Sequence, residues 1–312
     1  MNVTLADRPS ALDVAGIGYL VVQVGDLDEA IEFYRRVLRL DLVGRDILPA
    51  SGSHAVLAAG RQLVVLASNP DRVDLKETGV HQAYRVSMPA RDAIAAALAG
   101  EGVEVKAYKE DRPAEERDNF YFFDPAGNRI QLVVSGNAKA PGIAGIDHVA
   151  MLVADMLRSE DFYLNELGLA EDHRVGWATA DYVRARKWAA GEEDMAPGTR
   201  RLDKRYTVMV NKKVVPRCNM QLFMRAGDAV LGIYLANQHF QEPPEELAVG
   251  MPRVALAAKR AQLDKTARAL QAKGRTFLGP VVHPASAPVE ASLYFRDVGG
   301  NFLELCVPRA RG

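Results

Sequence analysis

The chain has 312 residues, of which 48% are hydrophobic and 25% charged, with a formal net charge of −1. A chain of this length buries a sizeable core and holds about two domains, and its near-neutral charge removes the electrostatic case for nucleic acid or an acidic membrane as partner. Cys218 and Cys306 are too few for a disulfide framework or a zinc cluster. With no leader-type segment and no apolar run of spanning length, a cytoplasmic protein is expected.

In chain order, residues 17–24 form a β-rich run. Residues 27–40 then carry apolar side chains at helical spacing (Leu27, Ala30, Ile31, Tyr34, Leu38), with Asp26 placed as N-cap. Short strands are expected near 55–58 and 63–67. A second unit opens with "HQAYRVSM" (81–88), continues in a helix over 90–99 and closes with strands near 119–123 and 128–134. The stretch "SGNAKAPG" (135–142) is small and polar with Gly and Pro, and reads as a linker. It divides the chain into halves at 1–137 and 142–312. The second half repeats the pattern: strand 146–153, helix 155–167, strands through "AVLGIYLA", strand 253–258, helix 259–272 and strands to 307.

The halves are internal copies. "YFFDPAGNRIQL" (121–132) matches "YFRDVGGNFLEL" (294–305), and "GDLDEAIEFYRRVLRLDL" (25–42) matches "ADMLRSEDFYLNELGLAE" (154–171). The strand copies are more widely separated than the helix copies, so the second half carries an insertion, assigned to 181–217. The expected fold class is α+β: four βαβββ units, one pair in each half. Each pair forms a curled mixed sheet around a cleft, with helices on one face only.

Alternation along the strands assigns faces. In the last strand Leu303, Leu305 and Val307 share one side, leaving Glu304 on the other with Phe302 and Cys306. In the third unit's first strand Val149, Met151 and Val153 are the aliphatic set, and His148 faces the opposite way. An imidazole and a carboxylate are thus expected to converge on one cation. Either alone has a plainer reading: a strand histidine is more often a hydrogen-bonded structural residue, and a lone Glu finds a basic partner.

These units, in this order, resemble the vicinal oxygen chelate superfamily, the glyoxalase/bleomycin-resistance/dioxygenase group, and within it the two-domain type I extradiol ring-cleaving dioxygenases. The stretches carrying the resemblance are "GIGYLVVQVGDLDEAIEFYRRVL", "GVHQAYRV", "GIDHVAMLVADMLRSEDFYLNELGL" and "YFRDVGGNFLEL". It implies two tandem glyoxalase-like domains, a metal-free N-terminal one and a C-terminal one that holds Fe(2+), or Mn(2+), by two His and one Glu. His148 matches the first His and Glu304 the Glu, while Arg253 stands where the second His belongs. Guanidinium has no lone pair for a cation. The catalytic His of the third unit's closing strand is also missing, whereas Tyr294 matches a substrate-binding tyrosine. The implied reaction is cleavage of a catecholic aromatic compound by dioxygen in a homo-oligomeric enzyme.

A third ligand is sought in His283 or His239. Gln131, where the later copy has Glu304, suits a half without an ion. His81 lies at ligand register there, but with Gln131 and Tyr19 as its expected companions no second metal site is anticipated. Two other readings stand beside ring cleavage. One is a Lewis-acid isomerase or lyase of the same superfamily. The other is a metal-free ligand-binding protein in which Arg253 pairs with Glu304. The basic insertion reads as a solvated loop or a lid, Trp177, Tyr182 and Trp188 as core or pocket wall, and Cys306 as an inert buried thiol.

Overall fold

The computed structural model describes residues 12–48, 52–72, 80–107, 117–153, 156–175, 207–210, 213–216, 221–235 and 253–310. The first unit is β1 (Val14–Val24), α1 (Leu27–Arg36), β2 (Asp41–Arg45), β3 (His54–Ala59) and β4 (Gln62–Ser68). The second is β5 (His81–Val86), α2 (Met88–Gly100), β6 (Lys106–Ala107), β7 (Phe120–Phe123) and β8 (Arg129–Val134). The third opens with β9 (Ile143–Val153) and α3 (Met156–Glu160), which runs into a π-helical turn at Asp161–Glu166. After β10 (Glu171–Val175), a two-stranded ribbon of β11 (Thr207–Val210) and β12 (Lys213–Pro216) precedes β13 (Gln221–Ala226) and β14 (Ala229–Leu235). The fourth is β15 (Arg253–Ala258), α4 (Arg260–Ala272), β16 (Phe277–Val282), β17 (Val289–Arg296) and β18 (Phe302–Pro308). Apart from the ribbon, the 181–217 insertion lies outside the described residues, as do Trp177, Tyr182, Trp188, Cys218 and His239.

Local chemistry sets the helices where the sequence predicts them. The Asp26 carboxylate accepts from the Glu29 amide at 3.0 Å, acids occupy the first turn of α1 and Arg35 and Arg36 the last. That polarity suits the helix dipole. Ser87 caps α2 in the same way, and Pro89 sits in its first turn, where no amide hydrogen is needed. Among the described residues no helix is long and apolar enough to cross a membrane.

The pairing of units differs from the expected one. The strands form two eight-stranded mixed sheets, ordered β16-β17-β18-β15-β1-β4-β3-β2 and β10-β13-β14-β9-β5-β8-β7-β6. Within each unit the first strand runs parallel to the last (β1 with β4, β5 with β8, β9 with β14, β15 with β18). Between units, β1 joins β15 and β5 joins β9, both antiparallel. The first sheet therefore combines units one and four, and the second combines units two and three. The boundary at 137/142 separates the sequence copies, and both sheets cross it.

One face of each sheet and the buried sides of all four helices share a single core. It runs from Leu20 and Leu305 of the first sheet, through Ile31, Ile94, Phe162 and Leu263 of the helices, to Ile130 and Met151 of the second sheet. The sheets are tied reciprocally at their hairpins. Gly60 and Gly227 sit at φ 61° and 62°, and a Cβ there would fall 2.1 Å from the Ala144 carbonyl oxygen and 2.0 Å from that of Ala15. Only glycine permits both that φ and that approach. Each sheet turns its other face away from the shared core, and the chemistry-bearing side chains lie on those outer faces.

Candidate functional site

On the first sheet, strand register sets Tyr294, Glu304, Ala255, Tyr19 and Leu63 in one row across β17, β18, β15, β1 and β4. Glu304 is fully buried. One carboxylate oxygen accepts from Arg253 Nε at 2.7 Å and from the Tyr19 hydroxyl, the other from Ser292 Oγ at 2.6 Å. His283 Nε2 lies 2.8 Å from Ser292 Oγ and 3.4 Å from the Tyr294 hydroxyl. The Arg253 guanidinium sits over the rings of Tyr19 and Tyr294, 5.7 and 5.4 Å from their centroids. Beside this network is a narrow cleft lined by Tyr19, Leu63, Val289, Cys306, Arg61 and Arg309.

Electrostatics fixes the protonation pattern here. Burial, and then the Glu304 charge, push the Tyr19 phenol well above its ordinary range, so it stays a donor. Tyr294 is pushed up to about 12 by the same two causes. Burial opposes the charge on Arg253, but Tyr19 and Glu304 more than compensate and its pKa stands above the ordinary one. Burial drives the Cys306 thiol up, leaving it inert, and holds His283 below an ordinary imidazole. Both Glu304 oxygens are thus occupied and a guanidinium already supplies the cation. These residues do not fit a metal ion. Arg253 pairs with Glu304, as the metal-free reading requires.

The expected meeting of His148 with Glu304 does not occur. β18 pairs with β15 and β17, and through β15 with β1, so Glu304 meets residues of units one and four. His148 lies on the second sheet. There, one row runs Tyr121, Gln131, Ala83, His148, Val230 and Arg225 across β7, β8, β5, β9, β14 and β13. The parallel row runs His81, Ala150, Gly232, Phe223 and His173. Alternation turns both rows outward, because Leu132, Val149, Leu231 and Leu222 between them belong to the core. His148 thus shares its site with His81, for which no metal partner was anticipated.

The Nε2 atoms of His81 and His148 are 3.0 Å apart. Asp147 Oδ1 lies 2.7 Å from His148 Nδ1. A proton on Nδ1, donated to that carboxylate, leaves the Nε2 lone pair facing His81, the arrangement that orients metal-binding imidazoles. Tyr121 meets the His81 ring edge to face at 5.5 Å, Tyr234 stacks on it at 6.1 Å, and Phe223 meets Tyr234 at 5.7 Å. The Arg129 guanidinium carbon lies 4.0 Å from the Tyr121 ring centroid. His173 stacks on Phe223 at the rim. The small side chains of Ala83, Ala150 and Gly232 occupy the centre of the face.

This second face brings two imidazole nitrogens from different units together. Two nitrogens about 2.1 Å from one tetrahedral ion lie about 3.4 Å apart, a little more than the 3.0 Å between these imidazoles. The same spacing serves as an N–H···N hydrogen bond between them. Gln131 stands across Ala83 from His148 and offers an amide oxygen. Among the described residues no group of three or more His, Cys, Asp or Glu could hold a metal, so a third donor from among them has to be of another type. Alternation along β5 already turns His81 to the same side as Ala83. What the sequence left open was that β5 lies against β9.

Two eight-stranded mixed sheets, each from two βαβββ units, define an α+β protein of vicinal oxygen chelate architecture. The chain belongs to the glyoxalase/bleomycin resistance protein/dioxygenase superfamily, whose sequence model matches residues 16–132 and 145–305. Members of that superfamily are mostly enzymes and bind divalent metals. The chain is similar to a "putative dioxygenase" from Bacillus subtilis (16% identity, 96% of this chain and 87% of that one, TM-score 0.65). It is also similar to glyoxalase I from Zea mays (18% identity, 94% and 92% covered, TM-score 0.57) and to a point variant of that enzyme (18%, 94% and 92%, TM-score 0.59). At these identities the likeness carries the fold alone. No curated protein matches the chain in sequence.

Proposed function

We propose that the outer face of the second sheet is the active centre of a divalent-cation-dependent enzyme. Its chemistry is non-oxidative, Lewis-acid catalysis on a small planar substrate offering two adjacent oxygens. The observation that carries this reading is the 3.0 Å approach of His81 Nε2 to His148 Nε2, with Asp147 fixing the His148 tautomer. A cation held there would polarise the substrate oxygens and stabilise charge developing on them. His81 and His148 are its nitrogen donors, and Gln131 its amide donor. Tyr121, Tyr234 and Phe223 wall the substrate and exclude water, and Ala83 and Ala150 present only methyl groups beneath it. All three donors are neutral, so the ion keeps its full charge toward the substrate. The set that supports dioxygen chemistry at ferrous iron needs a carboxylate, and Gln131 stands at that register.

The test is calorimetric titration of metal-stripped protein with Mn(II), Fe(II), Ni(II) and Zn(II). One equivalent is expected to bind the native chain, and His148→Ala or His81→Ala to lose at least about tenfold in affinity. Uptake unaffected by both variants would sink the reading. Gln131→Glu is expected to tighten binding by adding a charged oxygen donor.

Ring cleavage of a catechol by dioxygen is the second reading. It is favoured by the aromatic walls around His81, with Fe(2+) or Mn(2+) as the ion. Oxygen uptake and a yellow product from a catechol panel would establish it over the Lewis-acid reading.

A further inference from the structure

Resting on the reading just given, we propose that Arg129 is an anion clamp, and that the substrate of the second face carries a carboxylate in addition to the two oxygens. Among the described residues, three arginines project from this face. Arg85 reaches Asp228 Oδ2 at 3.0 Å, and Arg225 reaches Asp172 Oδ1 at 3.3 Å. Arg129 meets no carboxylate among the described residues. Its partner is the ring of Tyr121.

Arg129 is half-buried on β8, two residues before Gln131 and on the same face. Tyr121 contacts both groups, its ring 4.0 Å from the guanidinium and 5.5 Å from the imidazole centroid, and the register of β5 against β8 sets Arg129 beside His81. A guanidinium carries five N–H donors in its plane. A ring contact engages the face of that plane and leaves the in-plane donors available. Stacking also holds the fork in a fixed orientation, which suits bidentate recognition of a carboxylate.

The internal copy supplies its arginine from another place. At the matching positions of the fourth unit, Phe302 replaces Arg129 and Arg296 replaces Phe123, and Arg296 lies 4.2 Å from the Phe302 ring. There the arginine over the tyrosine equivalent to Tyr121 is Arg253 of the opening strand, whereas in the second unit it comes from the closing strand that also bears Gln131. With His81, His148 and Gln131 all neutral donors, Arg129 is the fixed positive charge beside the proposed ligands. A planar substrate lying against Tyr121 would have its oxygens at the imidazoles and an acidic substituent at Arg129.

Two measurements separate this proposal from its parent. Without added metal, binding of benzoate and of benzamide is compared by ligand-observed NMR in native protein, Arg129→Gln and Arg129→Lys. Benzoate is expected to bind the native chain about tenfold more tightly, the gain of one charge-assisted pair. Arg129→Gln should bring the two probes to parity and Arg129→Lys should keep part of the preference. Equal binding of the probes by the native protein, or a preference that survives in Arg129→Gln, would overturn the clamp. With Mn(II) present, 3,4-dihydroxybenzoate is expected to bind more tightly than catechol in native protein but not in Arg129→Gln. Mn(II) uptake itself, measured on the same samples, is expected to be unchanged in Arg129→Gln. Its absence from native protein would defeat the metal reading while leaving the benzoate comparison to decide on Arg129.

Discussion

Gln131 and Glu304 stand at equivalent places in the two copies, and the difference between them follows from their neighbours. Glu304 faces Arg253, a buried guanidinium that would be very costly without a counter-charge. Gln131 stands between Tyr121 and Ala83 in its row, and His81 takes the place there that Arg253 holds beside Glu304. Replacing Glu304 by Gln keeps the shape but strips the counter-charge. We expect Glu304→Gln to lose about 3–5 kcal/mol of stability in urea unfolding. The Arg253→Met/Glu304→Gln double variant should lose less than the sum of the two single changes, and strict additivity would refute a direct pair. His283 supplies a pH readout of the same network. Burial holds its folded pKa below the imidazole value of about 6.5, so the folded state resists taking up the proton that the unfolded state accepts. The stability this contributes is intact above about pH 6.5 and is lost as pH falls toward the lower, folded pKa. The melting temperature is expected to drop between about pH 7 and pH 5, and His283→Gln to flatten that slope. A slope identical in both proteins would assign the pH dependence to other groups.

The duplicated Asp-x-x-Gly-Asn turn joins helices to strands across the two sheets. Tyr34 of α1 donates to Asp124 Oδ2 at 3.0 Å, and Tyr163, in the turn that follows α3, to Asp297 Oδ2 at 2.8 Å. Within each turn the Asn returns a bond to the same carboxylate, and its amide also reaches a first strand, at Gln23 O or Leu152 O. Burial raises both aspartates above the usual carboxylate range, which makes their hydroxyl donors worth more. Tyr34→Phe and Tyr163→Phe are each expected to cost about 1.5–3 kcal/mol. As the latches are distinct, the costs should add in the double variant. A cost near zero for either would show that its phenol is replaceable by water. At this scale much was legible. The Asp26 cap, the helical spacing of Ile31 and Tyr34, and the "YF-D--GN" repeat all predicted elements that formed, because each depends on neighbours within a turn or two. The role of Asp124 and Asp297 was not legible, since their tyrosines lie far away in sequence.

Across the whole molecule, what the sequence withheld was the choice of partner. "GIGYLVVQV", "HQAYRV", "GIDHVAMLV" and "PRVALAA" are all first strands with one apolar face, and alternation names the face of each without naming its neighbour. Sequence proximity favours pairing units one with two and three with four. The sheets instead join one with four and two with three, so a correctly faced His148 meets His81, and a correctly faced Glu304 meets Arg253. This exchange makes each half of the chain dependent on the other. Residues 1–141 alone would leave one side of β1 and of β5 unpaired, and 142–312 alone would do the same to β9 and β15, two open edges in each case. Expressed separately, the halves are expected to aggregate or to pair with their own copies. Expressed together, with a tag on one half, they should co-purify as a one-to-one complex with the far-ultraviolet spectrum of the intact chain. Because His81 and His148 come from different halves, divalent-cation uptake should appear in that complex and be absent from either half. A monomeric 142–312 fragment that folds cooperatively and binds the cation by itself would refute the exchanged pairing, and with it the two-imidazole site.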